Sequence, residues 1–475
     1  MQDYKTGIGF FRTGLNTYWD QFKGLLDKLS SYGDSIQSFL KSQGGVLTHD
    51  AGFVDSPEKA MDAAKYLRSS AVDIVFVYVA TYSLSSTVLP VVKALGCPVV
   101  LLNIQPGPSI DYAGFNSIQD RGVKTGLWLE YCQACAIPEI ATVLKEAGVK
   151  FDIISGHMQD TSTWTEIKAW VDAAKVCCGL KNSRLGLLGH YYCGMLDVYT
   201  DLKKIPSVFG THVEILEMDE LASIRESVSD EEIGAKVVEF NTCFTVNENC
   251  SEYELNRAAR TSVALDNLVE SHDLGCMAYY YNGMTGNGNE DIVTSLIPGN
   301  TLLIGRGVPV AGEYEVKNVI AMKILSLLGA GGSFSEFYAM DFNDDVILLG
   351  HDGPAHYLIA DGKVELVPLS VYHGKPGNGL SIQMTVRANE VTLLSVCEGK
   401  EGMFLLVAEG ETVPGEVLEI GNTNSRYRFS CGMRSFVEQW SKAGPSHHCA
   451  VGIGHLSDVL QKVAFILGIR MVKVE

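Results

Sequence analysis

The sequence predicts an α/β protein: two Rossmann-like α/β domains followed by a mainly antiparallel β C-terminal domain. Three observations carry this. Strand and helix patterns alternate through the first part of the chain, the signature of a parallel sheet. A second alternating stretch begins at Arg184. Beyond the cluster Gly329-Ala330-Gly331-Gly332 the pattern changes to short β-rich runs separated by turn residues. A chain of 475 residues also exceeds what one ordinary core holds. The expected domains are 1–178, 179–328 and 329–475.

In the first domain, strand-like runs stand at Thr6–Phe11, Val72–Tyr78 and Pro98–Ile104. They are nearly continuous in apolar residues, which suits a sheet covered on both faces. Amphipathic stretches at Tyr18–Leu29 and Pro57–Leu67 lie between them, and a helical stretch, Ser162–Val176, leads to a linker at Leu180-Lys181-Asn182-Ser183. The second domain starts with Arg184–Gly189 and continues through Val213–Leu216, then helical stretches at Glu231–Val238 and Tyr253–Ser271. Val316–Leu328 has apolar residues at helical spacing and stops at the glycine cluster. In the third domain, β runs are expected at Val346–Leu349, Val364–Val371, Leu380–Val386, Val391–Val396, Met403–Val407 and Glu416–Ile420. A helix at Ser457–Leu467 closes the chain.

Composition narrows the function classes. Lys and Arg number 37 against 56 Asp and Glu, a formal net charge of −19, and no segment is both basic and aromatic. A nucleic-acid partner is therefore not expected. No apolar run approaches the roughly 18–20 residues that span a bilayer, and MQDYKTGIGFF lacks the apolar core of a signal peptide. A cytoplasmic protein with no membrane partner is expected. The 12 cysteines include a lone CxxC, Cys132 and Cys135, and the adjacent Cys177 and Cys178. No second pair stands at zinc spacing and no thioredoxin-like strand precedes the CxxC, so buried small hydrophobes are the default reading. The glycines of Gly7-Ile8-Gly9 lie within a strand run without the full dinucleotide fingerprint.

Four segments concentrate the informative polar residues. They are Pro309–Glu315 (PVAGEYE), Gly331–Phe337 (GGSFSEF), Leu348–Gly353 (LLGHDG) and Gly444–Cys449 (GPSHHC). Glu313 and Glu336 sit at opposite ends of one helical connection, His351 ends a strand, and His447-His448 lies in a Gly/Pro loop. Functional side chains concentrate at such element ends. Two carboxylates and two imidazoles suit a divalent ion such as Mn²⁺, other divalent metals also being possible. No regular spacing links the four. Each taken alone has an ordinary alternative: Glu313 or Glu336 as a helix-end charge, His351 as a strand-end residue, His447-His448 as a solvated pair.

These segments resemble those of the L-arabinose isomerase and L-fucose isomerase superfamily. GEYEVK (Gly312–Lys317) and GGSFSEFYAMDF (Gly331–Phe342) are similar to the segments carrying that family's metal glutamates. LLGHDG and GPSHHCAV are similar to those carrying its metal histidines. SGHMQD (Ser155–Asp160) resembles the family's glycine-histidine segment, and GHYYCGMLDVYTD (Gly189–Asp201) looks more like the fucose-type branch. The resemblance implies an aldose–ketose sugar isomerase, an intramolecular oxidoreductase that passes through a cis-enediol. It implies Glu313, Glu336, His351 and His448 as metal ligands, Glu313 and Glu336 as the acid/base pair, and His447 lining the site. A homo-oligomer, trimer or hexamer, with sites at subunit interfaces is implied as well. The active site would lie where the second and third domains meet. Arg12–Trp19 lacks the Gln that arabinose isomerases carry near substrate, so L-arabinose does not carry over as the sugar.

His157 and His190 each follow a glycine at an expected strand end and read equally as pocket or structural histidines. Trp19, Met195, Tyr280 and Tyr281 are candidate sugar-lining residues, with core or interface packing as the alternative. Arg121, Lys124 and Arg306 lie near possible pocket segments. Two other classes stand beside the isomerase: a non-catalytic sugar-binding or regulatory protein, and a metal-dependent sugar epimerase.

Overall fold

In the first part of the chain, β1 (Thr6–Thr13), β2 (Val46–Val54), β3 (Ile74–Val79), β4 (Val99–Gln105) and β5 (Phe151–His157) pair in the order β2-β1-β3-β4-β5. Every pairing is parallel. The inner strands β1 and β3 are buried along their whole length, as helices on both faces require. The edge strands β2 and β5 are only half-buried and carry polar residues, so neither shows the apolar run that marks the others. The computed structural model describes residues 4–282, 286–370 and 377–475. They fall into two units, Gln2–Cys178, which holds this sheet, and Gly179–Glu475.

The second unit opens with β6 (Arg184–Gly189), β7 (His212–Leu216), the two-residue β8 (Thr245–Val246), β9 (Cys276–Tyr280) and the two-residue β10 (Val310–Ala311). Four of these form a parallel sheet in the order β10-β9-β6-β7. The helix Val316–Leu327 follows, and its residues are buried on all sides through Leu325. That explains why apolar residues dominate its whole circumference.

Eight of the remaining strands are β11 (Gly331–Asp341), β12 (Val346–His351), β13 (Glu365–Leu369), β14 (Gly379–Gln383), β15 (Glu390–Gly399), β16 (Gly402–Thr412), β17 (Thr423–Phe429) and β18 (His448–Ile453); β19 (Arg470–Val474) comes last. Seven of them build a sheet in the order β15-β18-β11-β12-β17-β16-β19, and β15 also pairs with β16. Six strands therefore close on themselves as an antiparallel barrel, which leaves few open edges. β19 joins the barrel in parallel on β16, while β13 pairs with β14 and β8 in a small separate sheet. The barrel is filled by Leu349, Leu393, Leu406, Tyr427 and Val451, with Phe436 stacked 3.7 Å from Phe429.

Three sequence expectations need correction. Tyr18–Leu29 is not one helix: Thr17–Gln21 ends, Gly24 takes φ +82°, and Leu25–Ser42 starts afresh. Leu180-Lys181 is not linker. The helix Thr161–Lys181 continues through both, and the Leu180 carbonyl accepts from the buried Thr211 hydroxyl at 2.8 Å. Glu416–Ile420 is not a strand; the pairing run is β17, a few residues on. Of the expected run Val364–Val371, Val371 lies outside the described residues.

No helix among the described residues is long and apolar enough to cross a membrane. Among the 12 cysteines, Cys132, Cys178, Cys276, Cys397 and Cys449 are buried and all are free thiols. Cys132 and Cys135 bring their sulfurs to 2.8 Å.

One buried group sets a pH dependence of stability. The His356 imidazole is buried after β12, and desolvation pulls it from 6.5 down to about 4. The folded state therefore resists a proton that the unfolded chain accepts. Stability is full above about pH 6.5 and is lost as pH falls through about 4, by at most ~3 kcal/mol. Denaturant unfolding of His356→Gln at about pH 7 and pH 4 should show a difference between the two pH values smaller by about 2–3 kcal/mol than in the unchanged protein. An equal difference would contradict this account.

Candidate metal centre

The site lies within the second unit, at the C-terminal edge of the parallel sheet, where open α/β sheets bind ligands. β10 ends at Ala311, and the chain turns at once through Gly312-Glu313-Tyr314-Glu315. Glu313 and Tyr314 take φ of 56° and 59°, and Glu315 N–H donates to the Gly312 carbonyl at 3.0 Å. This is the geometry of a type I′ turn built without glycine at its centre. Such backbone is costly for side-chain-bearing residues and is retained where something else requires it. Here it aims the Glu313 carboxylate into the site. The Tyr314 N–H donates to Tyr279 on β9 at 2.9 Å, and its ring packs on Tyr191 at 4.7 Å.

The other candidates come from three adjacent barrel strands. His448, the first residue of β18, pairs directly opposite Glu336 on β11. Glu336 faces Gly350 on β12, and His351 is the next residue. β11 can start so close to the buried helix because Gly332 takes φ +106° and a Cβ there would lie 2.6 Å from the Met322 carbonyl oxygen. At Gly350 a Cβ would meet the Thr423 oxygen at 2.0 Å, so only glycine lets β12 and β17 pair beside the site. Phe334, two residues before Glu336, sits between the two imidazoles, with its ring 4.3 Å from His448 and 4.4 Å from His351.

The distances define a cluster. His448 Nε2 lies 3.4 Å from Glu313 Oε2, and His447 Nε2 lies 3.5 Å from the same oxygen and 4.0 Å from Glu336 Oε2. The His447 and His448 rings are 3.8 Å apart, and those of His351 and His448 5.4 Å. Burial alone would raise the Glu313 carboxyl, yet the neighbouring His447, His448 and His351 imidazoles hold it below the usual carboxylate range. Burial opposes charge on His447, but the Glu313 carboxylate beside it and its bond to Asp197 push it up to about 9.

Two observations fit this set to a cation. Potential ligand atoms of Glu313, His447 and His448 all lie within 4.8 Å of one another. The buried Glu313 Oε2, His448 Nδ1 and Nε2, and both Glu315 carboxylate oxygens have no hydrogen-bond partner. Polar atoms so buried are costly unless something satisfies them. The tightest trio contains His447 where the sequence reading placed Glu336 and His351, which stand one strand and two strands away from His448.

Of the other candidates, Tyr280 ends β9 close enough for Glu313 to help burial push its phenol up to about 12. His190 packs on Tyr280 at 5.4 Å and on Tyr281 at 5.7 Å, and its Nδ1 is 2.8 Å from the Tyr191 carbonyl oxygen. Met195 is half-buried in the segment after β6. Trp19, His157, Arg121 and Lys124 belong to the first unit. Trp19 donates to Asp55 at 2.8 Å and packs on Phe53. Arg306 is bound to Glu239 at 2.6 Å and Asp266 at 2.9 Å, a structural ion pair rather than a pocket cation. Sequence reasoning missed Glu315, Phe334 and Asp197. The first two stand two residues from a chosen glutamate, a spacing that could have drawn notice; Asp197 lies in the Gly189–Asp201 segment, which drew notice as a whole without marking that residue.

Known proteins resemble this chain in part. The family of L-arabinose isomerase C-terminal domains matches residues 331–470. The L-arabinose isomerase of Shouchella clausii is 19% identical over 345 residues, covering 71% of this chain and 70% of the relative. That of Bifidobacterium longum is 21% identical over 359 residues, covering 71% and 68%. That of Vibrio parahaemolyticus is 21% identical over 354 residues, covering 68% and 66%. Residues 331–470 thus match the C-terminal domain of L-arabinose isomerases, and the chain is similar to L-arabinose isomerases over 68–71% of its length.

Proposed function

We propose that the chain is an aldose–ketose sugar isomerase that works with a divalent cation, Mn²⁺ being well suited to a mixed carboxylate and imidazole set. The observation that carries this reading is the convergence of Glu313, His447 and His448 around buried, unsatisfied ligand atoms. Glu313, Glu336, His351 and His448 would hold the ion. When bound, it supplies positive charge that polarises the sugar oxygens on C1 and C2.

The residues then divide the work. Glu313 and Glu336 would serve as the acid/base pair: one removes the C2 proton of the open-chain aldose, and a proton is returned at C1 as the cis-enediol becomes the ketose. His447 presents Nε2 between the two carboxylates and is positioned to hold a sugar hydroxyl. Phe334 keeps water from the buried side, which strengthens every charge interaction there. Tyr280, His190 and Met195 form a candidate wall for the sugar carbons. Trp19 would contribute from the first unit of a neighbouring copy in a trimer or hexamer.

Ketose formation from a panel of pentoses, 6-deoxyhexoses and hexoses, after EDTA treatment and with Mn²⁺ restored, tests the reading. Turnover of one sugar that requires the ion is expected. Turnover that is indifferent to the ion would contradict it, and proton exchange at C2 without ketose would point to an epimerase. Glu315 is fully buried with an oxygen 3.6 Å from His448 Nδ1, where a carboxylate orients a ligand imidazole. Glu315→Ala should weaken Mn²⁺ binding, measured by calorimetry, by about 10–100-fold. Unchanged affinity would remove Glu315 from that role.

A further inference from the structure

We infer that Asp197 is a positioning residue that fixes the orientation of His447, a role that rests on the isomerase reading for its kinetic consequence. A single oxygen of Asp197 accepts twice from His447: from the backbone N–H at 3.0 Å and from ring Nδ1 at 2.6 Å. With Nδ1–H committed to Asp197, the ring turns Nε2 toward the gap between Glu313 Oε2 and Glu336 Oε2, at 3.5 and 4.0 Å. The tautomer follows from the hydrogen bond that the other nitrogen makes.

An ordinary surface ion pair would contribute little and could swing freely. Asp197 differs because its backbone is anchored to the same site. Its carbonyl accepts from Lys317 Nζ at 2.5 Å and from Ser446 Oγ at 3.3 Å. Lys317 is buried in the first turn of the helix Val316–Leu327, just after the Glu313 turn; Ser446 immediately precedes His447. Farther along the segment, the Tyr199 carbonyl accepts from Lys317, and Thr200 donates to Glu398 at 2.6 Å. The 190–201 segment is thus tied to the helix behind Glu313, to the histidine pair and to β15. The arrangement forms a continuous path from Lys317 through Asp197 and His447 to the two carboxylates. Without Asp197, His447 keeps its ring contact with His448 but loses the bonds that choose which nitrogen faces the sugar.

Two measurements test this. In spectra of ¹⁵N-histidine-labelled protein loaded with Mg²⁺, and assigned with His447→Ala, His447 should show a protonated, hydrogen-bonded Nδ1, whatever the state of Nε2, and lose that hydrogen-bonded signal in Asp197→Ala. An unchanged His447 signal overturns the proposal. In a double-variant cycle, Asp197→Ala should lower kcat/KM by about 10–100-fold, and Asp197→Ala/His447→Ala should stay within about 3-fold of His447→Ala alone. Effects that multiply show that Asp197 acts elsewhere and overturn it. If Asp197→Ala does not fold, Asp197→Ser, too short to reach the ring, takes its place in both experiments. If the unchanged protein turns over no sugar, the isomerase reading fails, while the His447 signal still decides the role of Asp197.

Discussion

The site depends on keeping a carboxylate–imidazole cluster out of water. His448 and Glu315 are completely buried, and Glu313 Oε2 has no hydrogen bond. Isolated charges in such surroundings are strongly disfavoured. Their retention makes sense where a cation draws on several of them at once, and the surrounding structure is arranged to prevent their escape. The all-round burial of the helix Val316–Leu327 seals one side. Phe334, wedged between His351 and His448, seals another.

Two kinds of scaffold meet at this cluster. A parallel sheet offers the ends of β6, β9 and β10, where the chain must turn and a side chain can be aimed. A closed barrel offers three neighbouring strands whose register is fixed by pairing along their length. Glu336 opposite His448, with Gly350 on the other side, is a consequence of that register, and a slip of one residue would turn the whole set to the other face. The left-handed turn at Glu313-Tyr314 is where the parallel-sheet side adopts costly backbone at the site itself. It is held by the Tyr279 and Gly312 carbonyls and by the Tyr191 ring. Rigid elements supply the ligands; the 190–201 segment and the 444–447 loop supply the groups that meet substrate.

Much of this could be read from the residues. Inner strands such as β3 are apolar throughout because both faces are covered, and the run IVFVYV declares it. The half-buried edge strand β2 was illegible because VLTHDAGFV carries too few apolar residues to stand out, and of β5 only the end at His157 was expected, FDIISGH being equally mixed. β11 was masked by its function: GGSFSEF reads as a ligand-bearing loop, yet its serines are buried and paired in the barrel. Glu313, Glu336, His351 and His448 were chosen through resemblance, and their juxtaposition comes from barrel register that no spacing encodes. Asp197 was invisible because its partner lies 250 residues away and nothing around GMLDVY marks an anchor.

The most direct measurement is the position of the ion. Anomalous diffraction at the manganese edge, on crystals grown with Mn²⁺, should show one strong peak in contact with Glu313, Glu336, His351 and His448, and His447 outside the coordination sphere. A peak held by Glu313, His447 and His448 without Glu336 and His351, or no peak at this cluster, would contradict the account.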